Sequence, residues 1–288
     1  MKRTLHLLVI DPQNDFCDLP ADYLPNDPTT GAAIRPALPV TGAHTDMLRV
    51  ADLIQRGGDG LSHITITLDA HHRLDIAHPT FWRTGDGGAP APFTQITAAE
   101  VRAARYLPRD TTALPRALAY LDALESAGRY QLIVWPVHCE IGSWGQNVHA
   151  AVRAAYNHWE EQHTASVNKI NKGSNPWTEH YSAVQAEVPD QTDAGTQTNR
   201  ALIASLAQAD QVYITGEAGS HCVKATTEHL VAQLQPAQIA RLVLVTDCIS
   251  PVTGFESQQQ AFVHAMAQRG VRLATAAQVL SELCANVD

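Results

Sequence analysis

Short apolar runs recur along the chain, separated by longer stretches in which apolar positions return every three or four residues. The runs LHLLVI (5–10), HITITL (63–68), QLIVWP (131–136), ASVNKI (165–170), QVYITG (211–216), RLVLVT (241–246) and VRLATA (271–276) predict strands. Their β-branched residues, apolar on both faces, suit a buried parallel sheet. Amphipathic helices are predicted at about 43–57, 114–127, 144–160, 196–209, 220–234, 256–269 and 276–285. This alternation of strand and helix predicts a three-layer α/β/α fold with a mainly parallel central sheet. Two stretches break the rhythm, 17–42 and 83–113. Loops this long in a compact domain are usually functional or are insertions. Both read as excursions on a single domain spanning 1–288, near the site or at a subunit contact.

Composition narrows the function. Hydrophobic residues make up 45% of the 288 positions, enough for a sizeable core, and the net charge of −9 argues against nucleic-acid binding. No apolar run approaches the roughly 18 residues of a membrane span. The opening MKRTLHLLVID reads as a first strand, because its apolar run is shorter than the roughly 7–15 residues of a secretory signal core. The five cysteines are widely spaced with no CxxC pair, which predicts reduced thiols and a cytoplasmic location.

In open parallel sheets, ligands bind beyond the carboxyl ends of the strands. Chemistry-bearing residues collect there. Asp11 follows the first strand. Asp69, His71, His72 and His78 follow the second. Trp135, His138 and Cys139 follow the third, Lys172 the fourth and Cys222 the fifth. Cys222 lies in GEAGSHCVKATTEHL, where a run of small residues joins a strand to a helix. A helix N-terminus there should lower the thiol pKa, and the turn's N–H groups suit an oxyanion hole. His221, adjacent in sequence, does not face Cys222, so the proton acceptor must come from another strand end, with Asp11 the best candidate. A lysine ammonium beside such a pair favours both charged forms; Lys172 leads, with Lys169 an alternative. Asp69, His71, His78 and His138 form a possible metal set, with His72 able to replace His71, for one divalent ion (zinc, iron or manganese).

These five segments, in this order, resemble the nicotinamidase/isochorismatase-like cysteine hydrolase superfamily, and within it the metal-containing nicotinamidase (pyrazinamidase) branch. The resemblance runs from about residue 5 to 275: LLVIDPQNDF, LDAHH…HP, WPVHC, NKGSNPWTEHYSAV and GEAGSHCVKATTEHL look like the family's functional segments. It implies an isochorismatase-like, Rossmann-like fold and an Asp11–Lys172–Cys222 triad. It also implies an oxyanion hole from the N–H groups of Ala218 and Cys222, beside a cis Glu217–Ala218 bond. The implied metal ligands are Asp69, His71, His78 and His138, with Phe16 and Trp135 sandwiching a flat aromatic substrate. Two departures stand out. The His71–His78 spacing is one residue longer than the family pattern, and Glu217 stands where the family often has an apolar residue.

The implied reaction is hydrolysis of a small aromatic carboxamide through a cysteine thioester, nicotinamide to nicotinate and ammonia being the first choice. A homo-oligomer is expected, acting on a small-molecule amide, with neither nucleic acid nor membrane as partner. The alternatives are another small amide of ureido or maleamic type, a metal-water hydrolase with a structural Cys222, and a non-catalytic metal-binding protein.

Overall fold

Six strands, all parallel, form the central sheet of the computed structural model, which describes residues 2–287. In chain order they are β1 (Leu5–Ile10), β2 (His63–Asp69), β7 (Asn168–Lys172), β8 (Gln211–Gly216), β9 (Leu242–Val245) and β10 (Arg272–Ala274). Their order across the sheet is β10-β9-β8-β1-β2-β7. Three short strands, β3 (Trp82–Thr84), β4 (Thr94–Ile96) and β5 (Tyr106–Pro108), precede a fourth, β6 (Leu132–Val134), outside it. The helices are α1 (Ala43–Gly57), α2 (Ala98–Arg102), α3 (Leu114–Ala127), α4 (Ala150–His163), α5 (Arg200–Gln208), α6 (Cys222–Gln233), α7 (Pro236–Ile239), α8 (Glu256–Gln268) and α9 (Ala276–Cys284).

The order follows from the apolar pattern. β1 is buried at every position, so it belongs in the sheet's interior, between β8 and β2. Each large side chain hidden there contributes about 1.5–3 kcal/mol. β7, with sequence NKINK, is mostly exposed and closes one edge, where its lysines and asparagines discourage further pairing. α1 buries Met47, Val50, Leu53 and Ile54 on one helical stripe and packs on α4 and α9, while α6 packs on α8.

Two expectations are corrected. QLIVWP was expected in the parallel sheet, but its core, β6, pairs antiparallel with β4 instead. Apolarity alone predicts burial, and β6 is buried, but it does not name the partner strand. The stretch 83–113, expected to lack regular structure, holds β4, β5 and α2 and most of β3, and β5 pairs with β3. Its strands are only three residues long, too short for a period to show.

The other excursion is fastened to the body of the fold. Asp18 accepts hydrogen bonds from the N–H groups of Gly42 and His44, both at 2.8 Å, and so caps α1. Cys17 bridges to Val40, which closes the base of the loop.

β8 can lie flat against β1 only because it ends in glycine. Gly216 has φ +115°, and a Cβ there would stand 1.9 Å from the Ile10 carbonyl oxygen. Gly216→Ala is therefore expected to cost about 3 to 5 kcal/mol, measurable as a lower midpoint in urea unfolding.

Candidate active site

The carboxyl ends of β1, β2, β7 and β8 deliver four of the five predicted segments to one place. β1 stops at Ile10, and Asp11 turns away in a left-handed conformation, φ +44°. Its carboxylate Oδ1 accepts from Thr67 Oγ1 at 2.6 Å. Lys172, expected in a loop, is the last residue of β7, paired in register with Asp69. Its ammonium is buried. It lies 2.9 Å from Asp11 Oδ2, 3.0 Å from Asp69 Oδ1 and 3.6 Å from Cys222 Sγ, and it donates to the His180 carbonyl at 3.0 Å. Lys169 points elsewhere, to Glu160 and the Tyr156 ring.

Cys222 is the first residue of α6. The N–H groups of Ala218 and Cys222 have no acceptor among the described residues and are free to hold a developing oxyanion. The Glu217–Ala218 peptide is cis. His221 does not serve the thiol. Its Nδ1 meets Ser220 Oγ at 2.9 Å, and its ring packs on Trp135 and Phe255. Burial, with Lys224 nearby, pulls its pKa down to about 3, so the ring stays neutral.

The electrostatics reverse one expectation. The helix N-terminus was expected to lower the thiol pKa, but burial pushes Cys222 well up, with Lys172 opposing and Asp11 and Asp69 adding to the rise. The helix end is outweighed by desolvation and two carboxylates. Burial also raises Asp11 against the pull of Lys172. Lys172 loses by burial but gains more from Asp11 and Asp69, and stays firmly charged. The resting thiol is thus protonated, beside the Asp11–Lys172 pair.

WPVHC reaches the same place from outside the sheet. His71 N–H donates to the Cys139 carbonyl at 3.0 Å and Trp135 N–H to the Ala77 carbonyl at 2.7 Å, so the loop after β6 runs alongside the loop after β2. Asp69 Oδ2 thereby stands 3.2 Å from His71 Nε2 and 3.6 Å from His138 Nε2. Asp69, His71 and His138 offer ligand atoms within 4.8 Å of one another. The His78 ring lies 5.1 Å from that of His71 and 5.3 Å from that of His138, yet its Nε2 approaches His138 Nδ1 at 3.4 Å instead of that common centre. His72 is exposed and outside the cluster.

The donor set fits a cation. Nδ1 of His71 faces Asp75 Oδ2 (3.2 Å), Nδ1 of His78 the His72 carbonyl (3.2 Å) and Nδ1 of His138 the Pro136 carbonyl (2.8 Å). Each acceptor favours a proton on Nδ1 and leaves Nε2 as the candidate ligand atom, the usual support for a metal-binding imidazole. Against burial, Asp69 and Asp75 hold His71 well above its ordinary pKa, so an ion would have to displace its Nε2 proton. His71 Nε2 is buried with no hydrogen-bond partner. Burial and the other two imidazoles pull His78 down to about 2, which keeps it neutral.

A cleft opens onto Cys222, lined by Phe16 and Trp135 as expected, and also by Leu38, Glu179, Tyr181 and Val252. Sequence reasoning missed Glu179. It sits in the quoted NKGSNPWTEHYSAV, but nothing in the pattern distinguishes a buried glutamate from a surface one. Burial raises its carboxyl, and Oε2 has no donor. Also missed were Asp75 and Gln13. Gln13 receives the Asp69 N–H at 2.7 Å and donates to the Asp69 carbonyl at 2.8 Å.

With this geometry established, solved structures were compared. Yeast nicotinamidase Pnc1p bound to the inhibitor nicotinaldehyde superposes with a TM-score of 0.62 at 18% identity, covering 94% of this chain and 100% of that one. The fold is that of the nicotinamidases. A nicotinamidase/pyrazinamidase of Acinetobacter baumanii matches with a TM-score of 0.61 at 19% identity, covering 96% and 98%. A pyrazinamidase of Pyrococcus horikoshii in complex with zinc matches with a TM-score of 0.51 at 17% identity, covering 94% and 98%. No protein-family model and no curated protein matches the chain. The excursions are thus carried on a nicotinamidase-like sheet, whose strand ends hold the residues described above.

If Asp75 orients His71, Asp75→Ala should weaken divalent-metal binding by about 10- to 100-fold, read by calorimetric titration of metal-free protein with zinc.

Proposed function

We propose that the protein is a cysteine amidohydrolase acting on a small aromatic carboxamide, with nicotinamide the first substrate to test. One observation carries the reading: a buried ammonium, Lys172, contacts the Asp11 carboxylate at 2.9 Å and the Cys222 sulfur at 3.6 Å. Unpaired N–H groups of Ala218 and Cys222 lie at the same turn. The likeness to nicotinamidase structures supports the fold on which this arrangement rests.

In the proposed reaction the amide lies flat between Phe16 and Trp135. Asp11 takes the Cys222 proton as sulfur attacks the carboxamide carbon, and Lys172 stabilises the charged pair. The N–H groups of Ala218 and Cys222 hold the oxyanion. Protonated Asp11 returns its proton to the amide nitrogen, which leaves as ammonia, and water then hydrolyses the thioester to the acid. Asp69, His71 and His138, with His78 alongside, are the residues that would hold a divalent ion, which supplies Lewis acidity for binding and orienting a ring nitrogen. Tyr181, whose hydroxyl accepts from Trp135 Nε1 at 3.0 Å, keeps the indole upright against the substrate face.

Cys222→Ala and Asp11→Asn should each lower kcat/KM for ammonia release from nicotinamide by about 10³-fold or more. Acid-quenched wild-type enzyme should show the nicotinoyl thioester on Cys222 by mass spectrometry. Near-full activity of Cys222→Ala would instead support attack by a metal-bound water.

A further inference from the structure

Glu217 is the residue of the nucleophile turn whose chemistry the proposed reaction leaves unused. It is fully buried between the end of β8 and Ala218. Its Oε2 accepts from the Ser250 N–H at 3.2 Å, while Oε1 has no donor. Ser250 brings this carboxyl together with that of Asp46, a buried residue of α1: its N–H reaches Glu217 Oε2 and its hydroxyl reaches Asp46 Oδ2. Asp46 is satisfied on both oxygens. Oδ1 receives Arg49 at 3.0 Å and Oδ2 the Ser250 hydroxyl at 2.5 Å.

Two buried carboxyls gathered on one serine, with a single cation beside them, favour keeping one proton on the pair. The environment decides where it sits. The groups facing the pair are Asp18, Asp247, the thiols of Cys17 and Cys248, and Arg49, of which only Arg49 is a cation. Arg49 pairs with Asp46, so the charge belongs on Asp46 and the proton on Glu217. Burial, reinforced by the nearby Asp46 charge, pushes the Glu217 carboxyl well above its ordinary range.

The pair joins three parts of the fold. Residues 246–252 already bind the turn through Gly216 N–H to the Cys248 carbonyl (2.9 Å), Gly219 N–H to the Ser250 carbonyl (2.8 Å) and Val252 N–H to Ser220 Oγ (3.1 Å). Glu217 adds a side-chain link from the turn through Ser250 to Asp46 on α1. Its neighbour, Ala218, carries one of the two free N–H groups.

We infer that Glu217 is a positioning residue that, as a neutral acid, donates to Asp46 while accepting from Ser250, and so locks the Ala218 N–H in its place at the cleft. It touches no reacting atom, and its catalytic meaning rests on the amidase reading above. The shared proton does not.

The sign of the pH effect follows. The folded-state pKa is raised above the unfolded value, so the stabilisation is complete below the ordinary carboxyl pKa of about 4.5. It is lost as pH rises from there towards the folded-state value. Glutamine is the isostere of the neutral acid: its amide N–H donates to Asp46, its oxygen accepts from Ser250, and it does not titrate.

The test compares wild type, Glu217→Gln and Glu217→Ala between pH 5 and 9, by Tm and by kcat and KM for nicotinamide hydrolysis. The Tm of Glu217→Gln should rise relative to wild type as pH increases. Its kcat should stay within about 2-fold of wild type near neutrality. Glu217→Ala should lower kcat by about 10- to 100-fold with little change in KM. Parallel Tm curves for wild type and Glu217→Gln, or a Gln variant as impaired as the Ala variant, would overturn the inference. Should Glu217→Ala fail to fold, the Gln comparison still decides. Should wild type release ammonia from no carboxamide, the amidase reading fails, and the Tm curves alone decide the shared proton.

Discussion

Everything at this site depends on one buried ammonium. Lys172 sits among Asp11, Asp69 and Cys222, which come from the ends of β1 and β2 and the start of α6. A charge without partners in so dry a place is expensive, and removing one member of a buried pair typically costs about 3–5 kcal/mol. The ammonium therefore tethers three neighbouring strand ends and the start of α6 at once. Asp69 extends the tether. Its Oδ1 faces Lys172 and its Oδ2 faces His71 and His138, so a single carboxylate couples the cysteine's surroundings to the imidazole cluster. Burial raises the Asp69 pKa, but His71 and Lys172 together outweigh it and hold the carboxyl well below its usual range. The group that links the two halves of the site is thus reliably ionised.

Much of this was legible in the sequence because parallel sheets place their chemistry at strand ends. The runs at β1, β2, β8 and β9 are strongly apolar, and the residues just after β1, β2 and β8 could be read off directly. Legibility failed where position depends on partners. LIV at β6 looks the same whether it joins the main sheet or pairs with β4, so the route by which Trp135 and His138 reach the site was hidden. The polarity of NKINK moved the predicted strand towards the N-terminus and left Lys172 in a loop. Asp75, Gln13 and Glu179 were invisible because supporting residues act through neighbours distant in sequence. The thiol was misjudged for a related reason: a helix N-terminus is visible in sequence, whereas desolvation is a property of the packed whole.

The two excursions are part of the cleft's construction. The Asp15 carboxylate accepts from the Ala37 N–H at 3.0 Å through Oδ1 and from the Cys139 N–H at 2.7 Å through Oδ2, so one side chain joins the first excursion to the loop after β6. Leu38 N–H then donates to the Asp15 carbonyl at 3.0 Å, which seats Leu38 on the cleft wall. From the second excursion, the half-exposed Phe93 stands edge-on to Trp135, with ring centroids 5.7 Å apart. Such aromatic edges contribute about 0.5–1.5 kcal/mol beyond burial, and this one limits how far the indole can swing. Segments that lie outside the sheet thus shape the apolar walls, while the sheet supplies the charged floor.

The turn before Cys222 lies between two buried acidic clusters, and they are neutralised by different means. On the Cys222 side, Asp11 and Asp69 are compensated by a fixed cation, Lys172. On the far side, Glu217 and Asp46 lie against Arg49, which reaches only Asp46, and the remaining charge is removed by a proton. A proton bridge and a lysine bridge differ in what they permit. The ammonium, held well above its ordinary pKa by Asp11 and Asp69 against burial, keeps its charge, and in the proposed reaction it tolerates charge moving between Asp11 and Cys222. The carboxylic acid gives directional hydrogen bonds to Asp46 and from Ser250, which suits holding a backbone N–H still. An apolar residue at 217 would leave Asp46 and the Ser250 N–H without that partner, so the acid at this position is matched by its surroundings. Glu217 therefore belongs to the scaffold of the turn, as Lys172 belongs to its chemistry.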